Sequence, residues 1–330
     1  NYEKTYKLLN SQFDSYHGEA YYNDKMDKVV EELEQKHLLV ESEGAKVVML
    51  DEYDMPPCII ITSSGTTIYA TRDLAALKDR IESYHFAKAL YVVGNEQQLH
   101  FKQIFKVLEL MGYEEYAKNC EHIPFGLVVD KNGEKIGSRK GNSVSLEEIL
   151  QESIEKVKKI IDEKNPQLQD KEEIARKVGV GAIIFNDLAN SRIKDEIFDW
   201  DMLLNFNGET GPYIQYIYVR TNGVIKKAGY IPEIKDVELE ELLDNEAINT
   251  VKLLYTFGEI VKLAAEKNEP SILARYLIDL AQSYSNFYNE HKIICDDKKT
   301  QDARLYLTYA CGSVLKKGAE LLGMEMPDEM

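Results

Sequence analysis

Cysteine is scarce in this chain of 330 residues: Cys58, Cys120, Cys295 and Cys311 are scattered, with no Cys-x-x-Cys pair. Disulfide scaffolds and cysteine-based zinc sites both need paired spacings, so isolated thiols in a reducing cytoplasm are expected. The six histidines form neither H-E-x-x-H nor H-x-x-E-H, and no structural metal is expected. Long hydrophobic runs are missing as well. None approaches the roughly 18 apolar residues of a membrane span, so no membrane partner is expected. The first residues, Asn1-Tyr2-Glu3-Lys4, lack both an initiator Met and the basic-then-apolar pattern of a signal peptide, which suggests a fragment. Cations are short too: 40 Lys and Arg face 57 Asp and Glu, for a formal net charge of -17. That balance argues against coating nucleic acid by bulk charge, yet leaves room for a shaped surface with local Lys and Arg contacts.

What is present is ordinary for a globular protein, with 44% apolar and 29% charged residues. The length suggests about two domains at roughly 150 residues each. The first part alternates strand and helix patterns. Lys25 to His37 reads as an amphipathic helix, and Cys58-Ile59-Ile60-Ile61 after Pro56-Pro57 as a buried strand. Leu74, Leu77 and Ile81 share a helical face. Ala89 to Val93 is a second strand stopped by Gly94, followed by a helix with Leu99, Ile104 and Leu108 inward and Gly112 as its cap. Ile123 to Val129 is a third strand. This order implies a parallel sheet with crossover helices.

Beyond residue 144 the pattern is helical. Ser145 with Glu148 forms a capping box, and Asp170 with Glu173 starts the next helix. Tyr213 to Gly229, Asn245 to Asn268, Pro270 to His291 and Thr300 to Gly323 then read as long helices with short connections, a bundle rich in tyrosine. The expected fold is α/β plus all-α. Residues 1–144 form part of a Rossmann-type sheet, 145–207 a helical connection, and 208–330 the bundle.

Three constellations carry chemistry. Tyr69 and Asp73 are four apart at a helix start after a strand, where one face could present a carboxylate and a phenol to a guanidinium. On spacing alone the favoured reading is that Asp73 simply suits the helix N-terminus and pairs with Arg72 or Lys78. At the next strand-to-helix turn stand Gly94, which permits close approach to the backbone, Glu96, able to accept from ribose hydroxyls, Gln97, and His100 one turn on. Taken alone, that turn is also a capped helix start with one packed histidine. The third is Lys131 to Asn142, which holds four cations and three glycines. Such a loop can bring N–H groups and positive charge against polyphosphate, or be a solvated hairpin turn at Asn132-Gly133.

In order, Y-A-T-R-D at 69–73, V-V-G-N-E-Q-Q-L-H-F at 92–101, K-I-G-S-R-K-G-N at 135–142, Phe198-Asp199-Trp200 and G-E-T-G-P-Y-I-Q-Y at 208–216 closely resemble arginyl-tRNA synthetases of the bacterial type. Five motifs in the right order and spacing, over essentially the whole chain, make the resemblance specific. It implies a class I enzyme that joins L-arginine and ATP to arginyl-adenylate and then charges the 3′-terminal adenosine of tRNA-Arg, with Mg2+ alongside ATP. Position by position, it implies arginine binding by Tyr69, Asp73 and Gln97, and ATP binding by Gly94, Glu96 and His100. Lys135, Ser138, Arg139 and Lys140 fall in the catalytic loop written K-M-S-K-S in this class. The helical half resembles the anticodon-binding bundle, with Tyr213, Tyr216, Tyr276, Tyr288 and Met330 as candidates to touch RNA. Pattern alone also allows these tyrosines to fill grooves between helices. A monomer is expected.

Two departures stand out. The loop has Ile136-Gly137 where the family often has Met-Ser, and Ser138 where the class places its second lysine. No H-x-G-H signature occurs; His17-Gly18-Glu19 is not a match. A C-terminal portion of the enzyme, inactive by itself, is therefore expected. The other readings left open are a non-catalytic tRNA-binding module and a different class I synthetase, such as one for cysteine.

Overall fold

The computed structural model describes residues 2–130, 133 and 145–330. They form two compact units, Phe13–Gly126 and a larger one made of Asn1–Gln12 with Leu127–Met330. The division by packing thus falls after Gly126. The chain opens with helix α1 (Tyr2–Leu8), which belongs to the larger unit.

In the smaller unit, α2 (Met26–Gln35) is amphipathic and buries Val29 and Leu33. A hairpin of β1 (Leu39–Ser42) and β2 (Ala45–Val48) follows. Its turn, Glu43-Gly44, has φ of 51° and 78°, the left-handed pair that matches the twist of a two-residue hairpin. β3 (Cys58–Ile61) is the strand expected from its apolar run, but it pairs antiparallel with β2 in the order β1-β2-β3. Next come α3 (Tyr69–Tyr84), β4 (Ala89–Gly94), α4 (Gln98–Leu110), α5 (Glu114–Lys118) and β5 (Cys120–Phe125). β4 and β5 pair in parallel, the strand–helix–strand unit that the alternation implied.

Leu74, Leu77, Ile104 and Leu108 are fully buried with Leu33, Leu50 and Ile60, each such side chain being worth about 1.5–3 kcal/mol of transfer free energy. Leu99 departs from expectation and is 47% exposed. It lies five residues before Ile104, well round the helix at about 100° per residue. Phe101, three residues before Ile104, takes the inward place at 5% exposure. Gly112 has φ 91° and ends its helix as anticipated. Among the described residues β4 pairs on one edge only, and Leu90 and Val92 on its outer face are 46% and 65% exposed.

The expected third strand is broken in two. β5 ends at Phe125, and β6 (Val128–Val129) pairs in parallel with β7 (Glu196–Ile197) inside the larger unit. Between β6 and β7, α6 (Leu146–Lys164) and α7 (Lys171–Ala189) pack side by side. The Ser145 and Glu148 capping box is fully formed. Asp170, by contrast, makes no capping bond. It sits at φ 50°, while Glu173 pairs with Arg176. After α8 (Trp200–Leu203), the bundle is α9 (Gly211–Ala228), α10 (Asn245–Lys267), α11 (Ser271–Glu290) and α12 (Lys298–Leu321). Tyr284, Phe287, Leu277 and Leu315 fill its centre at 0% exposure. Among the described residues no helix is long and apolar enough to cross a membrane.

Candidate functional site

The first site is built on the starts of α3 and α4. Thr71 Oγ donates to Ile60 O at 2.6 Å and is fully buried, which ties the first turn of α3 to β3. Tyr69 and Asp73 then project from one face, as their spacing requires. Arg72 pairs with Glu19 and Lys78 with Glu32, so neither of the neighbours weighed from sequence neutralises Asp73. The partner of Asp73 comes instead from the next strand-to-helix turn: His100 Nε2 lies 2.6 Å from Asp73 Oδ2. The Tyr69 ring stands edge-on to the His100 ring at 6.3 Å and 81°, and Tyr69 is 70% exposed. Behind His100, Phe101 stacks on His122 at 4.8 Å and packs on Tyr91 at 5.1 Å. Burial pushes the Tyr91 phenol up to about 12, although the Arg80 guanidinium donates to it at 2.8 Å.

Two motifs far apart in sequence therefore meet. A half-exposed carboxylate, a histidine and an exposed phenol form a polar patch on an aromatic wall. The Asp73 carboxylate has the shape to accept two parallel N–H bonds from a planar guanidinium, where the imidazole offers one. Gly94 and Glu96 lie at the same turn, Gly94 buried and Glu96 exposed. A Cβ at Gly94 would sit 2.5–2.8 Å from the Glu96 carboxyl group, so the missing side chain is what lets that carboxylate fold over the backbone. Gln97 is exposed beside it. Lys135, Ser138, Arg139 and Lys140 lie outside the described residues. Gly133 has φ 77° and donates to Asp130 O at 2.9 Å.

The second site lies in the bundle. The Arg220 guanidinium sits 4.8 Å from the Tyr216 ring and 4.9 Å from the Tyr288 ring. It also donates to Tyr216 Oη at 2.9 Å and to Ser285 Oγ at 3.3 Å. The cavity beside it, about 490 Å³, is edged by Lys227, His291 and Lys292 over Val224 and Ile293. In an acidic chain this is a local concentration of positive charge with aromatic faces. Sequence reasoning named both tyrosines and missed Arg220, although its i,i+4 spacing from Tyr216 was visible.

The other candidates separate. Tyr276 is 4% exposed, stacks on Phe257, and gives its hydroxyl to Leu253 O at 2.9 Å. Such a ring has no face to offer a base, and its expected RNA contact does not hold. Tyr213 is half-buried, and burial raises its phenol. Met330 packs with the Val157, Ile161 and Val178 cluster between α6 and α7. As for metals, one trio among the described residues, Asp244, Glu246 and His291, brings donor atoms within 4.8 Å. Its Asp244 caps α10 through Ala247 N and lies 3.0 Å from His291 Nε2.

Comparison with known proteins gives the family of the chain. The family described as "tRNA synthetases class I (R), catalytic domain" matches residues 1–200, and "DALR anticodon binding domain" matches 214–330. An arginine–tRNA ligase of Clostridium botulinum is 51% identical over 330 residues, and one of Halothermothrix orenii 48%. Each alignment covers 100% of this chain and 58% of the relative. The chain thus spans somewhat over half the length of the curated relatives it matches. The solved Thermus thermophilus arginyl-tRNA synthetase superposes with a TM-score of 0.87 at 26% identity, over 99% of this chain and 62% of that one. The Plasmodium falciparum enzyme gives 0.86 at 25%, over 100% and 56%. With a class I arginine-type catalytic family covering more than half its residues, and relatives about 50% identical along its whole length, this chain belongs to the arginyl-tRNA synthetases.

Proposed function

We propose that the protein carrying this chain activates L-arginine with ATP, as its magnesium complex, and transfers it to tRNA-Arg. The observation that carries this reading is the meeting of Asp73 and His100 at 2.6 Å beneath an exposed Tyr69. An acidic floor with an aromatic edge suits the cationic side chain of arginine, and Gln97, exposed at the turn that leads to His100, offers an amide donor and acceptor. Attack of the arginine carboxylate on the α-phosphate needs no protein nucleophile. It needs positioning and charge stabilisation, the roles we give to Gly94, Glu96 and His100 along ATP and to Lys135, Ser138, Arg139 and Lys140 on its phosphates. The bundle would read the anticodon loop of the tRNA, with Arg220 between Tyr216 and Tyr288 as its centre. Unstacked bases find aromatic faces there and phosphates find Lys227 and Lys292.

Calorimetric titration of the chain with L-arginine and with L-citrulline, its neutral counterpart, tests the arginine pocket. Arginine is expected to bind and citrulline to bind at least about tenfold more weakly, with Asp73→Asn erasing the difference. Equal binding of the two amino acids would sink the assignment of Asp73. ATP–pyrophosphate exchange with tRNA present tests the reaction itself.

A further inference from the structure

The larger unit holds a cavity of about 420 Å³ that none of these roles uses. Its wall is apolar, formed by Leu146, Ile149, Ile183 and Phe198 among others, and its polar groups are Ser11, Asn186, Asp187 and Glu196. Glu196 is only 9% exposed, and the Asn186 amide donates to its Oε1. Asp187, the next residue along α7, is exposed and faces the same carboxyl. Burial first, and the Asp187 charge second, push the Glu196 carboxyl up to about 8. No cation among the described residues offsets the Glu196 carboxyl. Of the described residues that line the cavity, from α1 to α12, only Asp187 and Glu196 titrate.

An acid buried in an apolar wall is costly unless something satisfies it. The cavity has the size and make-up of a small-molecule site, mostly apolar with a few convergent polar groups. We infer that it binds a small organic monocation, with an ammonium or amidinium head between Glu196 and Asp187 and an apolar body along Leu146, Ile149, Ile183 and Phe198. A neutral ligand would gain apolar burial but nothing from the charge of the carboxyl pair. A divalent metal would find two carboxylates where it needs about six oxygen ligands. A bound cation favours the ionised form of Glu196, so binding expels the carboxyl proton at neutral pH and tightens as pH rises toward the value at which Glu196 ionises unaided. Neither carboxyl belongs to the arginine, ATP or RNA residues above, so this site and the proposed function stand or fall separately.

The test is calorimetric titration of the full chain with benzamidinium and with benzamide, its neutral counterpart of the same shape, at pH 7 and pH 9. Benzamidinium is expected to bind about tenfold tighter than benzamide or better, to bind more tightly at pH 9, and to release a proton at pH 7. Glu196→Gln keeps the shape and is expected to remove both the preference and its pH dependence. Asp187→Asn, at the exposed rim, is expected to weaken benzamidinium alone and serves if the first variant does not fold. Equal binding of the two probes, a preference indifferent to pH, or a folded Glu196→Gln that still prefers the cation overturns the inference.

Discussion

Replacing Gly179 by alanine should destabilise the larger unit, against the usual gain from removing a helical glycine. A methyl group at this position of α7 would lie 2.8 Å from Ile154 N, 2.9 Å from Ile154 Cα and 3.0 Å from the Ser153 carbonyl carbon. All three are backbone atoms of α6 and cannot swing aside. Ordinary contact is about 3.5–4.0 Å, so the two helices must part by roughly 0.7 Å. That parting also stretches the bond from Ser153 Oγ to Gly179 O, now 2.8 Å and fully buried, to the edge of usefulness. Overpacking costs about 1–3 kcal/mol and the lost bond about 1, against about 1 gained in helix propensity. The net loss is about 1–3 kcal/mol, or roughly 2–12 °C in melting temperature for a unit of this size. Gly258→Ala is the control. Its added methyl meets nothing within 4 Å on the exposed side of α10, and it should stabilise by about 0.5–1 kcal/mol. Thermal and urea unfolding of both variants decide the matter. A Gly179→Ala protein as stable as wild type, with Gly258→Ala stabilised, would refute the close-contact argument.

Arg220→Met should weaken binding of an anticodon stem-loop RNA by about tenfold and flatten its salt dependence by roughly one phosphate's worth, read by fluorescence anisotropy at several ionic strengths. At Glu32, burial alone would raise the carboxyl, but the Lys78 ammonium bonded to it, with Lys36 nearby, wins and holds it below the ordinary carboxylate value. The stability it lends is therefore present at neutral pH and lost as pH falls through that lowered value. The difference in urea midpoint between wild type and Glu32→Gln should accordingly be largest near pH 7 and shrink between about pH 5 and pH 3. Arg176 clamps the tail through two bonds to Glu325 at 2.7 and 2.8 Å, so Arg176→Met should speed carboxypeptidase trimming of the last residues, and an unchanged rate would count against the clamp.

Local chemistry was the legible part of this chain. The Ser145 and Glu148 box, the Gly112 and Gly323 helix ends, and the strands at Cys58 and Ala89 all follow from rules that act within a few residues. Pairing was not legible. The run Cys58 to Ile61 is equally apolar in a parallel or an antiparallel sheet, and only the hairpin before it decides. The break after Phe125 hides in an apolar stretch whose two ends serve different units. In the sites, Tyr69 and Asp73 were visible as an i,i+4 pair. That His100 rather than Arg72 or Lys78 would reach Asp73 depends on how two turns 27 residues apart are brought together. Tyr276 and Tyr288 look alike in sequence, being 12 residues apart on one helix that buries most of its circumference. One points into the bundle and the other toward Arg220.

Among the described residues β4 pairs on one edge only, and this sets a rule for any strand laid along its other edge. Tyr91 is held inward by the Arg80 guanidinium, which fixes the pleat and leaves Leu90 and Val92 outward. A newcomer slipped by one residue would set its polar side against those two apolar side chains, so only alternate registers are admissible. A second copy of the chain satisfies that parity as readily as any other strand. Concentration should therefore govern how long a preparation stays dispersed, and a lysine at position 92 is the smallest change expected to extend it.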